Sequence, residues 1–131
     1  MARLKIEDAV DLTSGDVVHA RFSALPASAT VGEVRAWFAA SSHRQVALLA
    51  DEGRYAGSLT RADLAGDADP DRPAAQLSRR GPVIAPNAPA GDGYQLALSS
   101  ESLRVAVVDD DGTLLGVIGV TDDHQAFCGI G

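Results

Sequence analysis

Apolar residues along this chain fall into short runs, and the runs recur. Val34, Trp37 and Phe38 share one helical face behind Thr30-Val31-Gly32-Glu33, whose spacing is that of a capping box. The pattern predicts a helix over about 31–41, with Trp37 and Phe38 in the core. Val46 to Ala50 is a continuous apolar run of strand length, Asp51-Glu52-Gly53-Arg54 is a tight turn, and a second strand follows through Leu59. Thr60-Arg61-Ala62-Asp63 is a second box, which predicts a short helix ending near Gly66 with its N-terminus facing a cleft. Asp67 to Pro73 reads as a linker. The same order then returns: an entering strand at Pro82-Val83-Ile84, a helix at 91–98, a strand at 105–108, a turn at 110–113 and a strand at 114–118. The second helix is the weaker. Pro89 stands where Thr30 caps the first, and Gly93 replaces Val34 at a cost of about 0.5–1 kcal/mol in helix propensity relative to Ala. Residues 1–22 form a lead-in arm.

The recurrence is a duplication. A shift of 59 residues lays 23–63 on 82–122 without a gap. Identical pairs are Ala29/Ala88, Gly32/Gly91, Ser41/Ser100, Val46/Val105, Ala47/Ala106, Asp51/Asp110, Gly53/Gly112, Gly57/Gly116 and Asp63/Asp122, densest around the turn and its strands. Leu25/Ile84, Leu48/Val107, Leu49/Val108 and Leu59/Ile118 keep apolar character. Two like units packed together make a pseudo-two-fold interface with paired clefts.

Strand, Asp-x-Gly turn, and strand running into Gly-x-x-Thr-x-x-Asp, twice in 131 residues, resembles a tandem pair of CBS domains, the Bateman module. The motif reads Gly57-Ser58-Leu59-Thr60-Arg61-Ala62-Asp63 in the first copy and Gly116-Val117-Ile118-Gly119-Val120-Thr121-Asp122 in the second. The resemblance implies an α/β (α+β) fold of two β-α-β-β-α repeats, over 15–67 and 75–127, forming a single module. It also implies a regulatory role: binding an adenosine-containing ligand such as AMP, ADP, ATP or S-adenosylmethionine in a cleft between the repeats, with no cofactor required. A carboxylate can accept from both hydroxyls of a ribose, and a threonine hydroxyl can donate to a phosphate oxygen. Carried over, Asp63 holds ribose, Thr60 and Arg104 face phosphate, and Val83 and Ile84 line the adenine. The symmetric second site would use Ala24, Leu25 and Asp122, but Gly119 and Gln45 occupy its hydroxyl and basic positions, so it is degraded. The expectation is one nucleotide site, in a homodimer. The alternative is a ligand-free module for dimerisation or for docking a protein target.

Composition narrows the classes. A formal charge of −7 and a pI near 4.7 oppose nucleic acid and anionic membranes, which need a basic face. The single cysteine, Cys128, forms no internal disulfide and sits near a terminus expected to fray, with no cationic neighbour. With no signal-like or membrane-length apolar stretch, a cytoplasmic location is expected. No nucleophile elbow or phosphate-binding lysine loop occurs, so no enzyme is expected. Asp109-Asp110-Asp111-Gly112 is a turn rather than a calcium loop, Asp122-Asp123-His124 a helix start, and His19 and His43 stand alone, so no metal site is expected.

Overall fold

The computed structural model describes residues 2–131. In chain order its strands and helices are β1 (Ala2–Lys5), β2 (Ala24–Pro26), α1 (Val31–Ala39), β3 (Ala47–Asp51), β4 (Arg54–Leu59), β5 (Val83–Ile84), α2 (Ala90–Leu98), β6 (Arg104–Val108), β7 (Leu114–Val120) and β8 (Ala126–Ile130). Short 3₁₀ turns stand at Ile6–Ala9, Ser14–Asp16, Ala62–Leu64 and Ala74–Leu77. The chain divides into two compact units, one of Ser23–Gly81 and one joining the segment up to Phe22 with Pro82–Gly131.

The 23–81 unit holds a three-stranded sheet in the order β2-β3-β4, with β2 parallel and β4 antiparallel to β3. Its core is Val31, Val34 and Phe38 of α1 against Leu49 and Leu59, closed by Leu64 and Ala74. The capping box at α1 is formed as expected. Thr30 Oγ1 accepts from the Glu33 amide at 3.2 Å, and the Thr30 amide donates to Glu33 Oε1 at 3.2 Å. Loss of such a cap costs about 1 kcal/mol, so Thr30→Ala should lower stability by that amount in chemical denaturation, and an unchanged midpoint would contradict the cap's role.

The other unit carries a five-stranded sheet in the order β1-β8-β7-β6-β5. Ile84, Val105, Val107, Ile118, Val120 and Phe127 form its core with Val17 and Ala97. α2 forms although Pro89 offers no side-chain cap. Gly93 is needed there: a Cβ on it would stand 2.6 Å from Ile118 Cδ1 and 3.1 Å from Ser14 Oγ.

The segments ahead of each copy join the other copy's core. Ser14 N donates to Ala88 O at 2.7 Å, and Ala74 N donates in the same way to Ala29 O at 2.9 Å. His19 and Val117 exchange both backbone bonds, as Arg79 and Ser58 do. Partners in the repeats are 59 residues apart, as Ala29/Ala88 and Ser58/Val117, while partners in the arms are 60 apart, as Ser14/Ala74 and His19/Arg79. The duplication therefore extends into the arms with a one-residue slip. These crossings require the two motif glycines. A Cβ on Gly57, at φ +139°, would stand 2.7 Å from Ser78 Oγ, and one on Gly116 would stand 2.5 Å from His19 O.

The last elements of the two copies differ from the sequence expectation. The first copy's terminal helix is a single 3₁₀ turn, Ala62–Leu64. The second copy has no helix after Asp122. Thr121 Oγ1 instead donates to Asp123 Oδ1 at 2.5 Å and accepts from the Ala126 amide at 3.2 Å, turning the chain into β8. Gly119 lacks the hydroxyl that would close a box there, and the fully buried aromatic Phe127 favours a strand. Cys128 is correspondingly held in β8, opposite Gly119 and Arg3, and not in a frayed end.

Candidate functional site

In the 23–81 unit, β4 runs directly into the Thr60–Asp63 box. The Thr60 amide donates to Asp63 Oδ2 at 2.8 Å, Thr60 Oγ1 donates to the same oxygen at 3.2 Å, and the Asp63 amide donates back to Thr60 O at 3.2 Å. One carboxylate oxygen is thus used within the box. The other, Oδ1, meets Arg79 Nη2 at 3.4 Å. The Asp63 side chain is 13% exposed and that of Arg79 71%, so the pair is a weak one, screened by solvent on the arginine side. A three-residue 3₁₀ turn has little dipole, so anion attraction to a helix N-terminus is not part of this site. What the loop offers is a fixed carboxylate with one outward oxygen, beside an exposed cation. Nearby on β4, burial pushes the Tyr55 phenol above its ordinary range, against a hydrogen bond with Ser58 and the charge of Arg80.

The remaining expected residues of the first site lie in the other unit. Val83 is 43% exposed, whereas Ile84 is 8% exposed and packs in the core of its own unit. Arg104, at the head of β6, is half-buried and donates through Nη1 to the carbonyls of Ser102, Leu103 and Val120 at 3.2, 3.1 and 3.2 Å. Its side chain lies across Gly119: a Cβ there would be 3.0 Å from Arg104 Nε and 3.0 Å from Cys128 Sγ. Arg104 therefore locks the ends of β6 and β7, and Cys128 does have a cation beside it, contrary to the sequence reading. Nε and Nη2 of Arg104 keep no protein acceptor among the described residues.

The second set is less developed. Asp122 is exposed and makes no side-chain hydrogen bond among the described residues, while Asp123, two positions after Thr121, takes the turn's bonds. Those bonds, from Thr121 and then from the Gln125 amide, hold the Asp123 carboxyl below its ordinary range. Ala24 is exposed and Leu25 half-buried against the core of its unit.

Sequence reasoning passed over Arg35 and Arg61. Both reach backbone carbonyls across the gap between α1 and the Ala62–Leu64 turn. Arginine three residues before buried Phe38 and arginine inside the box were the available signals, but neither specifies where a long side chain ends. No group of three or more His, Cys, Asp or Glu that could hold a metal ion occurs among the described residues. No described helix is long and apolar enough to cross a membrane.

Comparison with known proteins agrees with this architecture. No curated protein gives a match. The chain superposes on the cystathionine beta-synthase pair domain of a putative Mg2+ transporter from Shewanella oneidensis MR-1 with a TM-score of 0.72 at 22% identity, covering 82% of this chain and 64% of that one. CBSX2 from Arabidopsis thaliana, solved in complex with AMP, gives 0.68 at 19% identity over 86% of this chain and 91% of the other. The cytosolic domain of the Mg2+ channel MgtE in complex with ATP gives 0.63 at 25% identity over 80% and 44%. The CBS domain family model matches residues 74–122. With its 59-residue duplication, the chain carries a CBS domain over residues 74–122 and has the fold of a tandem CBS domain pair.

Proposed function

We propose that the chain is a regulatory module that senses an adenosine-containing ligand of the AMP, ATP or S-adenosylmethionine class. The observation that carries this reading is the Thr60–Asp63 box: one carboxylate oxygen is fixed by Thr60 and the other is countered only by an exposed arginine. The outward oxygen can accept from ribose hydroxyls, and displacing a screened ion pair costs about 0–1 kcal/mol. Solved CBS-pair structures with AMP and with ATP support the ligand class. Val83, Ile84 and Arg104 are proposed as the further contacts. The ligand acts by population shift, since it biases only states to which it binds unequally. A homodimer in the cytoplasm belongs to the same reading.

A second reading, a ligand-free dimerisation or docking module, draws on the second motif, where Gly119 leaves Asp122 without a box. A thermal-shift panel of AMP, ADP, ATP, S-adenosylmethionine, NAD and c-di-AMP separates the two. A ligand at one hundred times its dissociation constant stabilises by about 2.7 kcal/mol. At least one adenosine compound is expected to raise the midpoint; no shift with any of them would favour the second reading.

A further inference from the structure

We propose that the 23–81 unit also carries a separate pocket for a small organic anion, one with a carboxylate or phosphate head on a short apolar body. A cavity of about 210 Å³ lies between α1 and the Ala62–Leu64 turn, lined by Arg35, Phe38, Ala39, Arg61, Leu64 and Ala65. None of the six is acidic. The floor is Phe38 and Leu64, both buried core residues, and the sides are the two guanidinium groups.

These arginines are held by backbone and not by carboxylates. Arg35 donates Nε and Nη2 to Leu64 O at 3.2 and 2.9 Å, Nη1 to Ala68 O at 3.2 Å, and Nη2 to Gly66 O at 3.3 Å. Arg61 donates Nη2 to Phe38 O at 3.0 Å and to Ser41 O at 2.8 Å, with its guanidinium carbon 4.9 Å from the centre of the Phe38 ring. Each side chain thereby caps carbonyls at the end of the other's element. Capping accounts for those bonds and leaves donors over. Nε and Nη1 of Arg61, and one Nη1 proton of Arg35, have no protein acceptor among the described residues. Among the described residues neither arginine forms an ion pair. Two fixed guanidiniums with spare N–H groups over an apolar floor suit a small anion, because the heads need no ordering on binding. A complete nucleotide calls for the larger pockets of roughly 300–1,000 Å³ that drug-sized ligands occupy, so this site is distinct from the one proposed at Asp63.

The test uses the full chain, with phenyl phosphate, benzoate and inorganic phosphate as probes in calorimetric and amide chemical-shift titrations. Ala39 and Ala65 are exposed, and a glutamate at either would place a carboxylate against the two arginines without removing their carbonyl bonds. Phenyl phosphate and benzoate are expected to bind saturably and more tightly than inorganic phosphate, with shifts at Arg35, Phe38 and Arg61. Ala65→Glu and, independently, Ala39→Glu should each weaken that binding at least tenfold while any AMP response persists. No saturable binding by either organic probe would overturn the proposal. So would inorganic phosphate matching them, or binding undiminished in whichever variant keeps the parent's unfolding midpoint.

Discussion

Replacing Phe127 with alanine is expected to lower stability by about 3–5 kcal/mol, the cost typical of emptying a buried aromatic site. Phe127 is fully buried and the largest such side chain among the described residues. It sits on β8 opposite Leu4 on one side and Val120 on the other, so it closes the core where three strands meet. Tyr94 packs edge-on against it at 6.1 Å, and the Tyr94 hydroxyl is itself tied to His124 O at 2.7 Å. A tyrosine held at both ends cannot collapse into the space left behind, which places the cost toward the upper part of the range. Single domains are stable by about 5–15 kcal/mol, so this one change removes much of the reserve. Urea denaturation of the variant checks it. A loss under about 1 kcal/mol would show that β8 is not an integral strand of this unit.

Asp63→Ala is expected to abolish the midpoint increase produced by the responsive nucleotide, while Asp122→Ala leaves most of it. The asymmetry follows from the two loops. Asp63 is fixed by two bonds from Thr60 and presents its second oxygen to an exposed arginine, whereas Asp122 is free on an exposed turn whose bonds go to Asp123. Removing Asp63 also removes the two bonds its carboxylate accepts from Thr60, at about 1 kcal/mol or more, so the unliganded midpoint should fall as well. Asp63→Asn separates the effects, because its amide oxygen can still accept from Thr60 while the charge is gone. It should keep most of the unliganded stability and lose the ligand response. Equal responses from all three variants and the parent would mean that the ligand is held elsewhere.

Much of the architecture was legible in the sequence because it rests on local signals. The Thr30/Glu33 box with the spacing of Val34 and Phe38 marks α1, and continuous apolar runs mark β3 and β6. The second helix was also placed, although the reason it tolerates Gly93 lies in the long-range approach of Ser14 and Ile118. The pairing of the arms was not legible. It depends on backbone bonds of residues 14 and 19 with 88 and 117, which leave no side-chain pattern, and the one-residue slip hides it from a gapless alignment. The second terminal helix was misread by analogy with the first copy. Gly119 removes the box that would have started a helix, and Thr121 and Asp123 build a turn from the same stretch.

The candidate site divides along the same line. Thr60 and Asp63 could be paired from their spacing, since a box is a local structure. Arg79 as the partner of Asp63, and the tethering of Arg104 to Val120 O, depend on where flexible side chains end after the sheets have formed. Ile84 shows the limit of reading a strand by position alone. In a two-residue strand one side chain faces out and the next faces the core, and it is Val83 that is exposed.

The central claim is that this pair holds one adenosine ligand at Asp63. Calorimetric titration of the full chain with the nucleotide that raises its midpoint measures it directly. The expected result is a single saturable event at one ligand per chain, absent in Asp63→Asn; two equivalent sites per chain, or full binding by Asp63→Asn, would contradict it.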